Sequence, residues 1–409
     1  MPDISKERAV VGSALQSSGL SFSNVNSFYV DNDLLAQTGK QLLQNSVMVN
    51  KFIDTLVNRI GVTLVNQRMY KNPFSDFKKG QMPLGVAVED IFINPQKAQK
   101  FVSGYNNDIP TTGNNALYGY NDPYKVNDND VKVVYYPLNS QVYFQITVKF
   151  VEVQQAFNSW QNMDNLVNKL IENLTNSAEV WEFEQTKTLL GTNFEQITPT
   201  CKLLQVSSKN EIDWASEFAI KCRDLALNYA FNSNKYNNWV AWATSQGLTG
   251  VSLNPVKTNT KLEDLYLLTR ADIGANIDIS VLATSFNLGK AEFLGTVKYT
   301  DNFGDFTDDN GNIKIEEYPA EPVVNTHYHT SGELGNYDYL SGDGKRHHVE
   351  LYGYIFDKHY IQIWETYNAV TNIENPVSLY RNYFKHLWET FALCPFANAT
   401  ALYTDDIVE

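Results

Sequence analysis

The sequence predicts an α+β fold, and three observations carry the prediction. Apolar residues recur every three or four positions from Phe157 through Trp160, Met163, Val167, Leu170, Leu174 and Ala178 to Trp181, which is helical spacing. β-Branched and aromatic residues crowd Val131–Tyr136, Gln141–Val153 and the tail from Tyr380 onward, as they do in sheets. The two kinds of stretch follow one another in blocks, with no internal repeat and no Pro- or Ser-rich linker. The segments therefore read as interleaved parts of one body.

Taken in order, residues 1–30 are rich in Ser, Asn and Gly and read as an extended arm. Asp31 and Asp33 offer capping carboxylates to a helix whose stripe is Leu34, Leu35, Leu42, Leu43, Val47, Phe52, Ile53, Leu56 and Ile60. That stripe is loosest at Thr38–Gly39. Val62, Leu64 and Val65 begin a strand-like run, and Leu84, Val86 and Val88 alternate with Gly85, Ala87 and Glu89. Between them lies YKNPFSDFKKGQMP, expected as the crown of a hairpin projecting ~30 Å, with arms of ~10 residues at ~3.3 Å each. Residues 103–130 read as loop.

The long helix is expected over about 157–190, a rod of ~50 Å at ~1.5 Å per residue. A second helix is expected over Asp213–Ala230, and strand cores such as LYLLT follow. Segment 301–346 is acidic and glycine-rich, which predicts a surface excursion. The expected organisation is an arm and first helix (1–60), an extended hairpin loop (61–102) and a first domain with the long helix (103–200). A second domain (201–378) carries 301–346 as a candidate insertion, and strands 379–409 return to the first domain.

Charge limits the function classes. Lys and Arg number 32 against 46 Asp and Glu, a net charge of −14, so the chain has no long-range attraction to nucleic acid or anionic lipid. Only 19% of residues are charged while 13% are aromatic, a balance that suits either surface hidden against partner subunits or a large core. Cys201, Cys222 and Cys394 are scattered and form no C-x-x-C, which argues against a disulfide scaffold. No apolar leader and no run of ~18 apolar residues is present, so a soluble protein made in the cytoplasm is expected.

Catalytic and metal motifs fail on inspection. GDGK at 342–345 has Tyr339 where a phosphate loop needs its first Gly, and Arg346 where it needs Ser or Thr. His386 and Glu389 spell H-x-x-E, but Thr390 denies the second His. His327 with His329, and His347 with His348, lack a third ligand nearby and read as loop histidines. FTDDNGNIKIEE at 306–317 places Asp308, Asn310, Gly311, Ile313 and Glu317 as a calcium loop would. Its first ligand position, however, is Phe306, so a turn with solvated carboxylates is the better reading. The sequence predicts no cofactor, no metal and no enzyme.

RIGVTLVNQRMYKNPFSDFKKGQMPLGVAVEDIFINPQKAQKF (59–101) resembles the extended-loop region of the major capsid proteins of small short-tailed bacteriophages, the Picovirinae-type podoviruses. VQQAFNSWQNMDNLVNKLIENL (153–174) resembles their spine helix, and LYRNYFKHLWETFALCPFANATAL (379–402) the strands closing their peripheral domain. The resemblance implies the tailed-phage major capsid fold, shared with the herpesvirus capsid floor and encapsulin shells. Its first domain would be peripheral and its second axial, without the C-terminal immunoglobulin-like domain of larger relatives.

The implied function is self-assembly into hexameric and pentameric capsomers of an icosahedral head enclosing double-stranded DNA, without sequence-specific binding. Scaffolding protein, portal and head fibre or decoration proteins are the implied partners, with no membrane. The virion is the implied location, after assembly in the host cytoplasm. On this reading Lys71, Phe74, Phe77, Lys78, Lys79, Met82 and Leu84 contact a neighbouring subunit. A carbohydrate- or cell-surface-binding module, favoured by abundant Tyr, Trp and Asn, is the alternative of another class; an encapsulin-like cargo shell is the same-fold rival.

Overall fold

The computed structural model describes residues 6–19, 31–62, 70–82, 87–96, 129–209, 211, 214–284, 295–375 and 377–408. Helices α1 (Lys6–Ser17), α2 (Asn32–Leu43) and α3 (Ser46–Val62) form the N-terminal part. Asp31 caps α2 as expected, its Oδ1 accepting the amides of Asp33 at 2.8 Å and Leu34 at 3.3 Å. The single expected helix is two, because Asn45 interrupts it and accepts the amide of Val47 through Oδ1 at 3.0 Å. The loose point at Gly39 has a packing cause: a Cβ there would lie 2.5 Å from Cβ of Phe157.

The expected arm is corrected over its first half. Val11, Ala14 and Leu15 recur at helical spacing and are buried in α1, with Ser18 buried in the turn after it, and the small polar residues around them hide so short a stripe. Residues 20–30 lie outside the described residues.

The long helix starts at α5 (Trp160–Ile171), after a short α4 (Phe150–Ala156), and passes through a π-helical turn at Glu172–Asn176 into α6 (Ser177–Glu195). It thus runs five residues past the expected end. Each residue added to a helix turns it by about 100°, so the wide turn presents a new face to the interior. α5 buries Trp160, Met163, Val167 and Leu170 against Phe52, Leu56 and Val148, whereas α6 buries Glu182, Thr186, Lys187 and Asn193.

Two sheets follow. Strands β1 (Lys78–Gln81), β4 (Ser140–Lys149), β10 (Ile361–Asn375) and β11 (Tyr380–Leu393) form one, in the order β1-β10-β11-β4. β5 (Lys202–Gln205), β6 (Leu265–Arg270), β7 (Thr296–Thr300), β8 (Asn336–Leu340), β9 (Arg346–Asp357) and β12 (Ala399–Val408) form the other, ordered β5-β12-β9-β6-β7 with β8 beside β9. Helices α7 (Trp214–Tyr229) and α9 (Ala271–Thr284), with α8 (Trp239–Ser245) between them in the chain, complete the fold. α7 matches the expected helix to within a residue at each end.

Leu265 and Leu267 pack with Phe218 and Ile273 on the face toward α7 and α9, while Tyr266 and Leu268 enter the central core with Phe356. Burial on both faces explains why LYLLT and YGYIF are continuous rather than alternating.

The chain passes between the sheets twice, side by side. β9 leads into β10 through Lys358–Tyr360, and β11 into β12 through Cys394–Asn398. The two links are tied by the Cys394 amide on the Tyr360 carbonyl at 2.8 Å and the Asp357 amide on the Asn398 carbonyl at 2.9 Å. This corrects the expected domain boundary: β10 belongs with β4 and β11, and the tail divides between the sheets.

The expected hairpin is described only in part. β2 (Ala87–Ile93) pairs antiparallel with β3 (Val131–Pro137), from Ala87↔Pro137 to Ile93↔Val131, while the expected first arm from residue 63 to 69 lies outside the described residues. Period-two alternation identifies a strand but not its partner. Nor is 301–346 a simple surface excursion. Phe303 and Tyr337 are buried, and Gly304, at φ +100°, leaves a Cβ no room beside the backbone of Thr188.

Candidate assembly site at residues 70–82

The Lys- and Phe-rich tract is the feature that sequence reasoning assigned to a neighbouring subunit. Its backbone explains its shape. Asn72 Oδ1 accepts the amide of Phe74 at 2.8 Å, and a 3-10 turn at Ser75–Phe77 follows before β1 begins. β1 runs parallel to β10, and the Met82 amide extends the pairing to the Glu365 carbonyl at 2.7 Å.

The tract docks on its own chain. Phe74 and Phe77 have no exposed surface; Phe74 lies 4.9 Å from Phe183 of α6, and Phe77 lies 5.1 Å from Tyr266 and 5.5 Å from Phe356. Lys298 clips the turn by donating to the Pro73 carbonyl at 2.9 Å and to Asp76 at 2.5 Å. The expectation that Phe74 and Phe77 face a neighbour is therefore corrected. Although Pro73 and Gly80 interrupt regular structure, rings on a tight turn fill the space between helix and sheet.

Lys78 changes role as well. Its Nζ lies 2.8 Å from Glu182 Oε1 on α6, 3.1 Å from Glu365 Oε2 on β10 and 2.7 Å from Glu389 Oε1 on β11. Burial opposes its charge, but Glu389 and Glu182 more than offset that and hold its pKa above the ordinary lysine value. Burial, and then the charge of Glu182, push the Glu389 carboxyl up to about 8, against the pull of Lys78. Burial works to raise Glu365 too, but Lys78 outweighs it and leaves that carboxyl below its usual value. At neutral pH, then, a proton on Glu389 relieves its contact with Glu182. A lysine held charged between three carboxylates anchors the tract to α6, β10 and β11.

The remaining candidates divide. Lys79 donates to the Lys358 carbonyl at 2.8 Å, and burial lowers its pKa. Lys71 is exposed, Met82 is half-buried, and Leu84 lies outside the described residues. Sequence reasoning missed Glu182 and Glu365, and named Glu389 only in the H-x-x-E motif and not as a partner of Lys78. The available signal was an acid on an apolar face: WEFEQ in a long helix and HLWETFAL in a strand.

The other motifs are structural. GDGK closes a turn in which the Ser341 amide meets the Lys345 carbonyl at 2.9 Å, with no helix after it. Asp308 accepts the amides of Asn310 and Asn312, both at 2.9 Å, in a hairpin bend bridged at Thr307↔Ile313. His329 meets Glu195 at 3.0 Å, His347 meets Asp405 at 2.7 Å, and His348 meets Asp338 at 2.7 Å. Among the described residues, no group of three or more His, Cys, Asp or Glu could hold a metal ion, and no helix is long and apolar enough to cross a membrane.

A surface of another kind lies on β2 and β3. Ile91, Ile93, Val131, Val133 and Tyr135 point outward, between 36% and 64% exposed. Their alternating neighbours Val134 and Tyr136 are buried in the central core. The pair Ile91↔Val133 and the pair Ile93↔Val131 sit directly across from one another, so the apolar residues form one continuous strip.

Comparison with known proteins places the chain. The family model of the Phi29-like phage major capsid protein matches residues 23–403. The major capsid protein of Bacillus phage PZA is 26% identical over 376 residues, covering 92% of this chain and 68% of that protein. That of Bacillus phage B103 is 25% identical over 375 residues, covering 91% and 68%. Among solved structures, the capsid of Staphylococcus phage Andhra aligns with a TM-score of 0.54 at 16% identity, over 84% of this chain and 86% of that one. A structure of the head fibre and inner core protein of bacteriophage P68 aligns with a TM-score of 0.53 at 16% identity, over 83% and 86%. The architecture is the tailed-phage capsid fold, and with a family match running from before α2 into β12, the chain belongs to the Phi29-like phage major capsid protein family.

Proposed function

We propose that this chain assembles with copies of itself, in rings of six and of five, into an icosahedral head that encloses double-stranded DNA. The family match over residues 23–403 carries the reading. The charge of −14 supports it, since an acidic container leaves packaged DNA free to move in and out. The chain works by repeated self-association and has no catalytic turnover. Assembly takes place in the host cytoplasm, with scaffolding protein, portal and head fibre or decoration proteins as its partners, and the product is the virion shell. The sheet containing β4, β10 and β11, with the long helix, serves as the peripheral domain; the sheet containing β9 and β12 serves as the axial domain.

Contacts between subunits fall to the β2–β3 strip, and to Lys71, Met82 and Leu84 from the original set. The test is electron microscopy and sedimentation of expressed protein, with and without co-expressed scaffold. Closed shells or capsomer rings are expected. A monodisperse monomer under every condition, binding glycans instead, would sink the proposal.

A further inference from the structure

Segment 301–346 and the edge of the six-stranded sheet line a partly open cavity of about 200 Å³. Its walls are Phe194 at the end of α6, Tyr337 and Tyr339 on β8, Tyr403 on β12 and the imidazole of His327. Phe194 meets Tyr403 at 5.5 Å and 59°, and Tyr337 meets Tyr339 at 6.4 Å and 52°. Phe194 and Tyr337 back onto the central core, and these rings are inclined to one another around the cavity. His327 lies flat on Tyr337 at 3.8 Å and 18°, which makes it part of one wall.

One charged group enters this cavity. Asp405 accepts the Tyr339 hydroxyl at 3.1 Å and the Nδ1–H of His347 at 2.7 Å, which fixes the carboxylate in place. Burial and the Asp405 charge push the Tyr339 phenol up to about 12, so its hydroxyl is a donor at neutral pH. Burial lowers the pKa of His327, so that ring brings no positive charge at neutral pH. Among the described residues, no lysine or arginine lines the cavity. Aromatic faces carry partial negative charge, and with a fixed carboxylate they select a cation over an anion or a neutral group.

We propose that this cavity is a binding site for a guanidinium or ammonium group, filled by an arginine or lysine side chain of another protein chain. The volume corresponds to roughly seven waters at ~30 Å³ each, room for a charged head and the methylenes behind it. Those methylenes would pack along the rings while the head meets Asp405. A chain of charge −14 also attracts cationic partners at long range.

The site can be tested on the purified chain whether or not it assembles, which separates this proposal from the capsid reading. Saturation-transfer NMR would follow Nα-acetyl-arginine amide and Nα-acetyl-lysine amide, beside the neutral isostere Nα-acetyl-citrulline amide, a methyl glucoside and putrescine. Saturable binding of both cationic probes is expected, with citrulline weaker by at least about fivefold. Tyr339→Ala and Asp405→Asn should each weaken binding by about three- to tenfold, and Tyr339→Phe, which keeps the ring, by less. The citrulline comparison needs no variant, so a misfolded mutant leaves the test intact. Equal binding of arginine and citrulline, binding of the glucoside alone, or no saturable signal would overturn the cation site. Tighter binding of putrescine than of either side-chain probe would overturn the protein-borne occupant.

Discussion

Lys78 Nζ sits 2.7 Å from Glu389 Oε1, and Glu389 has no exposed surface. One lysine on a short edge strand thereby faces three carboxylates from a helix and two other strands. Its removal leaves buried like charges without their cation, which typically costs about 3–5 kcal/mol. Lys78→Met should lower the unfolding free energy, read from urea titration, by that order. Lys79→Ala, which loses one hydrogen bond to a backbone carbonyl, should cost about 1 kcal/mol. Equal midpoints for the two variants would show that the carboxylates do not depend on Lys78.

The same cluster sets a pH dependence. The folded-state pKa of Glu389 is raised from 4.5 to about 8, with Glu182 on α6, Glu365 and Lys78 on the strands and the depressed Lys385 nearby. A raised carboxyl contributes stability that is complete below the unfolded pKa and is lost as pH rises through the folded one. Between about pH 4.5 and 8 the unfolded chain has released a proton that the folded chain keeps, and stability falls on the order of a few kcal/mol. Glu389→Gln should flatten that decline and melt higher than the parent at pH 8.5. Parallel melting curves from pH 5 to 9 would rule the proton out.

Gly191 on α6 sits where a Cβ would lie 2.2 Å from the Phe303 carbonyl oxygen. Gly191→Ala gains helix propensity of about 1 kcal/mol but forces backbone apart, a strain of about 1–3 kcal/mol or more. A lower melting temperature is expected. A higher one would mean that segment 301–346 yields without cost.

Trp160 and Leu170 are 2% and 1% exposed on the apolar face of α5, as the sequence spacing implied. Truncating either to Ala should cost about 2–5 kcal/mol by urea titration, while Val151→Ala, at 57% exposure, should stay within about 0.5 kcal/mol. A Val151 effect as large as the other two would invert the assigned faces.

The β2–β3 strip gives the assembly prediction. Ile91→Lys with Val133→Lys should leave the melting temperature of unassembled chain near the parent value, because both positions are exposed. Particle yield by sedimentation should fall, since every copy of the contact acquires buried charge. Normal yield would mean that the strip faces solvent in the shell.

What was legible in the sequence follows the range of the interactions. Local periodicity located α5, α6 and α7, and the Asp31 cap needed only three neighbouring residues. Pairing over distance was not legible: nothing local says that β2 prefers β3, or that β10 and β12 lie in different sheets. The site was half legible. The tract 70–82 stood out by composition, but its partners Glu182, Glu365 and Glu389 are scattered over two hundred positions and meet only through the fold. Long runs of unusual residues identified the family where pairing rules could not.

The doubled passage of the chain between its two sheets has a mechanical consequence. A joint made of one strap can swivel, but two straps fastened to each other resist twist as well as tension. Opening a hinge at this point would break the bonds at Tyr360 and Asn398 and expose Tyr360 and Phe396, which are 0% and 3% exposed. Force applied to either sheet, as by pressure on one side of a shell wall, therefore passes to the other along covalent bonds, and the molecule flexes as one plate.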